Sequence, residues 1–67
     1  MDLSARNQLK GKLKSVRTGE IMAEVVVTVG GNEIVAAITR DSAERLMLKP
    51  GDDVTVVIKA TEVMVAK

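Results

Sequence analysis

The sequence predicts an all-β fold carrying one short helix. Three features predict it: apolar and polar residues alternate in several segments, β-branched residues dominate the apolar set, and turn residues recur at short intervals. With 67 residues, the chain has room for one domain, spanning 1–67.

The first strand is expected from Gln8 to Val16. Leu9, Gly11 and Leu13 share one face, and Lys10, Lys12 and Lys14 share the other, as in a strand with one solvated side. Arg17-Thr18-Gly19-Glu20 supplies a turn. Ile21 to Val29 is the strongest strand, with Ile21, Ala23, Val25, Val27 and Val29 on a common face. Gly30-Gly31-Asn32 offers the positive-φ positions a tight hairpin needs, and Glu33 to Thr39 forms the third strand. The Gly pair joins two strands instead of opening a helix, so it reads as a hairpin turn and not as a phosphate loop.

From Asp41 to Leu48 the pattern changes to that of a short helix. Asp41 with Glu44 fits a variant of the capping box, and Thr39 is the alternative N-cap. Lys49-Pro50-Gly51-Asp52 ends it with turn residues. Asp53 to Lys59 and Glu62 to Ala66 complete the set as two more strands, with Thr61 near the bend. Three strands, a short helix and two strands fit a five-stranded OB-like Greek-key barrel with the helix between strands 3 and 4. An SH3-like barrel is the second architecture compatible with this order.

Composition then narrows the function. A domain this short cannot bury much core, and chains of this size usually need disulfides, a metal or self-association. The chain has no Cys and no His, which removes disulfides, thiolate metal sites and the usual general base. Association with copies of itself is the staple left, and no recognisable nucleophile–base pair argues for an enzyme. Aromatic residues make up 0% of the chain, which weighs against a nucleic-acid-binding OB module, because such modules stack bases on aromatic rings. Met22, Met47 and Met64 are expected as core filler, not as metal ligands. Net charge is only +1, but Arg6, Lys10, Lys12, Lys14 and Arg17 crowd the first segment against Asp2 and Glu20. No stretch reaches the roughly 20 apolar residues that cross a bilayer, and the N-terminus lacks the order of a signal peptide. The expected location is cytoplasmic.

The run Ser4-Ala5-Arg6-Asn7-Gln8-Leu9-Lys10-Gly11-Lys12 resembles the opening of the molbindins, the molybdenum-pterin-binding proteins. Ile58-Lys59-Ala60-Thr61-Glu62-Val63-Met64-Val65 resembles their closing strand, and Ala23-Glu24-Val25-Val26 and Asp41-Ser42 are similar as well. The resemblance implies an OB-like fold, a homohexamer built as a trimer of dimers, and molybdate or tungstate bound between subunits, with no covalent cofactor. It also implies a storage role in molybdenum homeostasis, as a stand-alone counterpart of domains found in molybdate-responsive regulators and transporter ATPases. A structural subunit without ligand is the blander alternative. By the same resemblance, Ser4, Arg6, Lys59 and the Ala60 backbone fall on molybdate-holding positions, with Thr39 and Ser42 as further contacts. Relatives often carry Ser where this chain has Ala60, so one hydroxyl donor is missing.

The chemistry of that set is coherent. Molybdate is a tetrahedral dianion whose oxygens only accept hydrogen bonds, so its site must consist of donors. Arg and Lys donate charge-assisted bonds, Ser and Thr hydroxyls can turn their hydrogen toward an oxygen, and a helix start offers unpaired N–H groups. The set holds no carboxylate and no soft ligand, so it suits an intact oxyanion and not a bare cation. Asp41 lies between two of the contacts and must therefore face solvent or pair with a basic group. Each residue also has a plainer role: Ser4 and Arg6 as a solvated terminus, Lys59 as an edge-guarding lysine, Thr39 and Ser42 as helix caps.

Overall fold

Four strands form from the alternating segments: β1 (Asn7–Thr18), β2 (Met22–Val29), β3 (Asn32–Thr39) and β4 (Asp53–Ile58). A short helix, α1 (Arg40–Arg45), joins β3 to β4, and a 3-10 turn at Ala60–Glu62 follows β4. The computed structural model describes residues 3–67, so Asp2, set above against the basic first segment, lies outside the described residues. All pairings are antiparallel, and the spatial order β3-β2-β1-β4 places the returning fourth strand beside the first. That is a Greek key.

The alternation of β1 changes phase in the middle. Its register on β2 slips between Leu13, opposite Val27, and Ser15, opposite Val26, leaving Lys14 as the extra residue of a bulge. The slip lets Leu13 and Val16 both face the core although an even number of residues does not separate them. Lys10, Lys12 and Lys14 stay exposed, with Lys12 paired to Asp53 at 2.8 Å and Lys14 to Glu33. Gly11 has a specific reason to be glycine. A Cβ there would meet the Thr28 carbonyl oxygen at 2.5 Å and the Val27 and Val29 methyls at 2.8 and 2.9 Å.

The turns follow their residues. Gly30, at φ 60°, supplies the first central position of the two-residue β2–β3 loop, as in a type II′ turn. In Lys49-Pro50-Gly51-Asp52, Gly51 sits at φ 95°, and the Asp52 N–H donates to the Lys49 carbonyl at 3.2 Å, as in a type II turn. The helix is shorter than expected and starts one residue earlier. Its N-cap is Thr39, whose Oγ1 accepts from the Ser42 N–H at 3.0 Å. The capping box expected of Asp41 and Glu44 is not built, because Glu44 pairs with Arg40 and Asp41 with Arg45; the alternative N-cap, Thr39, takes its place. The helix stops before Lys49 because Met47 turns left-handed, at φ 52°. Met47 N–H then donates to Glu44 O and Leu48 N–H to Ala43 O, which is the Schellman pattern.

The core is small. Leu13, Val25 and Val27 form its buried centre, with Val16, Val29, Ala36, Ile38, Leu48, Val54 and Val56 packed around them. Three expectations fail here. The fifth strand, Glu62–Ala66, does not form: Ala60–Glu62 is a 3-10 turn, and residues 63–67 pair with nothing in the sheet. The barrel is therefore open between β3 and β4. Ile21 is not on the buried face but 75% exposed, since β2 starts only at Met22. Met22, Met47 and Met64 are all exposed, because one lies on the outer face, one in a left-handed cap and one in the unpaired tail.

Candidate functional site

The start of β1 and the end of β4 meet. Asn7 pairs with Ile58 at the last rung, and the Asn7 side-chain amide donates to the Ile58 carbonyl at 3.1 Å. One step beyond this rung, Arg6 and Lys59 leave their strands at the same end of the sheet. Ser4 and Ala60 follow them. Nothing in the local sequence requires this meeting; the β1–β4 register produces it.

The segment before β1 is anchored. Ala5 is buried, and its carbonyl accepts from the Gln8 side-chain amide at 3.1 Å, while Ser4 and Arg6 on either side are exposed. Lys59 caps the 3-10 turn, whose closing bond runs from the Glu62 N–H to the Lys59 carbonyl at 2.9 Å. Ala60 is the first residue of that turn, so its N–H precedes any bond within the turn. Neither Arg6 nor Lys59 takes part in the four ion pairs formed between described residues. Two cations, one hydroxyl and one backbone donor thus collect at this end, an arrangement that suits an anion.

Thr39 and Ser42 lie elsewhere. Thr39 is opposite Met22, and the Arg40 N–H donates to the Ile21 carbonyl, so α1 begins at the end of the sheet where β1 finishes. Twelve residues of β1 would span roughly 36 Å if straight, and the longest dimension of the molecule is 34 Å. The six residues therefore divide into two groups at opposite ends of one chain. The Thr39 hydroxyl donates to Ser42 Oγ at 2.8 Å, and Ser42 Oγ also accepts from Arg45 at 3.2 Å. Ser42 is left with its own hydroxyl hydrogen to offer. Asp41 meets the condition set by its sequence position: its side chain is 87% exposed and lies 3.6 Å from Arg45.

Two residues of the neighbourhood carry roles the sequence did not reveal. Asn7 ties the strand ends, and Ala5 anchors the leading segment; both sit inside the Ser-Ala-Arg-Asn-Gln run, but only the three-dimensional register distinguishes them from solvated neighbours. Among the described residues no three His, Cys, Asp or Glu side chains gather as a cation site. No helix among them is long and apolar enough to cross a membrane.

The chain is similar to known proteins over nearly its whole length. Residues 3–65 match the TOBE domain family. The chain is 52% identical over 66 residues to molybdenum-pterin-binding protein 1 of Clostridium pasteurianum, covering 97% of both. It superposes on a molybdate-binding protein from Sporomusa ovata with a TM-score of 0.95 at 48% identity, over 100% of both chains. It also superposes on the cytoplasmic molybdate-binding protein ModG with molybdate bound, at TM-score 0.84 and 43% identity, over 90% of this chain and 43% of that one. The all-β architecture, with its helix between strands 3 and 4, is shared with these structures. The chain belongs to the TOBE domain family, among the small molybdenum-pterin-binding proteins, or molbindins.

Proposed function

We propose that this protein binds molybdate, or tungstate, between the subunits of a homohexamer arranged as a trimer of dimers, and serves as a cytoplasmic molybdenum store. The observation that carries the reading is the convergence of Arg6 and Lys59 beside Ser4 and Ala60. Relatives named for molybdate and for molybdenum-pterin, matching the chain end to end, support the choice of anion. The division of the six contacts between two ends of the chain supports a site shared by subunits: Ser4, Arg6, Lys59 and Ala60 from one, Thr39 and Ser42 from another. The role is binding without catalysis.

Selectivity follows from size. Donors fixed at an interface favour the anion whose oxygens reach them, and sulfate is smaller than molybdate or tungstate. Equilibrium dialysis tests the reading directly. Molybdate and tungstate should be retained and sulfate held more weakly; no retention of either metal oxyanion by the folded oligomer would overturn it.

A nucleic-acid-binding module is the competing function, and the lack of any aromatic residue weighs against it. Single-stranded DNA or RNA should bind only weakly at physiological salt, without sequence preference.

A further inference from the structure

The side chains proposed at the Thr39–Ser42 end are neutral hydroxyls, and a cation stands beside them. Arg45 lies three residues after Ser42 on α1, and its Nη2 donates to Ser42 Oγ at 3.2 Å. Its Nε approaches the Asp41 carboxylate at 3.6 Å, so one guanidinium reaches both side chains. The pair with Asp41 is highly exposed, and such pairs contribute little to stability. The contact with Ser42 has more consequence, because it acts on a group that itself gives a hydrogen bond.

A serine hydroxyl carries one hydrogen and two lone pairs, and the hydrogen has three staggered positions about the Cβ–Oγ bond. Thr39 fills one of these positions by donating to Ser42 Oγ at 2.8 Å, and Arg45 fills a second. The third is left for the hydrogen of Ser42. It cannot turn toward Arg45, which has no lone pair to offer, or toward Thr39, whose own hydrogen lies along that line. Thr39 Oγ1 accepts from the Ser42 N–H at 3.0 Å and has spent its hydrogen, so the hydrogen free for an outside acceptor is that of Ser42. Arg45 also polarises the group, since a hydroxyl that receives a bond from a cation donates more strongly in turn.

We propose that Arg45 is a positioning residue of the anion site, which fixes and polarises the Ser42 O–H so that it is aimed at molybdate, without touching the anion itself. This role rests on the proposed donation from Ser42 to the anion. Removal of Arg45 opens a second position to the Ser42 hydrogen, which alone costs about twofold in affinity, and it takes away the polarising charge as well.

A double-mutant cycle read by molybdate dialysis decides the matter on the full chain. Arg45→Ala puts the best helix former at an exposed helix position, so the fold is expected to hold. Sedimentation checks that each variant keeps the oligomeric state of the parent. Arg45→Ala should weaken molybdate binding roughly three- to tenfold, in the range for loss of one hydrogen bond. In chains that already carry Ser42→Ala, the same change should cost less than about twofold, because the group through which Arg45 acts is gone. A loss of less than about twofold in the parent chain would overturn the proposal. So would an equal loss in both backgrounds, which is what direct contact with the anion or a weakened oligomer would give. Two further results fall on the reading beneath it. If Ser42→Ala bound molybdate like the parent, Ser42 and Arg45 would both leave a site that Arg6 and Lys59 still hold. If the parent chain retained no molybdate, the site itself would go, and this role with it.

Discussion

The side-chain amide of Asn7 donates to the carbonyl of Ile58 across 3.1 Å, at the rung where β1 begins and β4 ends. This bond joins residues 51 positions apart in the chain, one step before Arg6 and Lys59 leave their strands. An anion site made of two cations needs such a brace, because the cations repel each other when no anion is present.

Asn7→Ala should therefore act on stability and binding together. Loss of one hydrogen bond of this kind costs about 0.5–1.5 kcal/mol, readable by urea denaturation at fixed protein concentration. Molybdate affinity should also fall, although Asn7 is not among the proposed donors. A variant that lost stability but bound molybdate like the parent would show that the brace does not set the site.

Direct contacts should rank by charge and donor number. Arg6→Ala should be the most damaging, then Lys59→Ala, then Ser4→Ala, whose hydroxyl is neutral. Loss of a hydrogen bond to a charged group costs about 1.5–3 kcal/mol, or roughly tenfold to more than a hundredfold in affinity. Arg6→Lys should recover little, since an ammonium cannot reproduce the planar fork of donors. Ala60→Ser should strengthen binding by adding a hydroxyl. Dialysis of variants whose oligomeric state is unchanged provides the check, and wild-type binding by both Arg6→Ala and Lys59→Ala would refute the site.

Gly11→Ala should destabilise the fold without touching the site. The added methyl would sit 2.5 Å from a backbone oxygen of β2, which cannot move aside as a flexible side chain would. Overpacking of this kind costs about 1–3 kcal/mol. Thermal or urea unfolding should show the loss, and stability equal to the parent's would mean that β1 and β2 separate freely at this point.

Met47→Gly should do the opposite. Met47 is the one non-glycine residue at positive φ among those described, and it is 77% exposed, so its side chain contributes little packing within the chain. A left-handed conformation costs an L-residue roughly 1–2 kcal/mol, and the greater freedom of glycine in the unfolded chain returns about 0.5–1 kcal/mol of that. A net gain of up to about 1.5 kcal/mol should appear in Met47→Gly but not in Met47→Ala, which keeps the strain. Equal stability of the two variants would remove the argument.

These cases show what a single sequence makes legible. Period-two alternation located β1 to β4, and the Gly and Pro residues located the turns, because both are local properties of the chain. The bulge at Lys14 leaves no mark in the local pattern, because Leu13 and Val16 share a face only once β2 is alongside. The apolar residues of the tail predict a strand, and its exposure shows that apolarity states a need for cover without stating what supplies it. The six candidate site residues come from resemblance alone. The division between the Arg6–Lys59 end and the Thr39–Ser42 end is a matter of strand direction, which no local pattern encodes.

That division allows a test with mixed subunits. If a site takes Arg6 and Lys59 from one copy and Thr39 and Ser42 from another, Arg6→Ala chains retain an intact Ser42 end and Ser42→Ala chains retain an intact Arg6 end. Each homogeneous oligomer should bind molybdate poorly, Ser42→Ala less severely because Ser42 offers a neutral hydroxyl. When the two chains are unfolded, mixed and refolded together, some interfaces bring the two intact ends face to face. Those sites are complete, so the mixture should bind a fraction of its molybdate with the affinity of the parent, while an unmixed blend of the two preformed oligomers should not. Dialysis across a range of molybdate concentrations would resolve the tight fraction. If mixing restored nothing while both chains demonstrably co-assembled, Thr39 and Ser42 would not share an anion with Arg6 and Lys59, and the two ends would have to be treated as separate features of the surface.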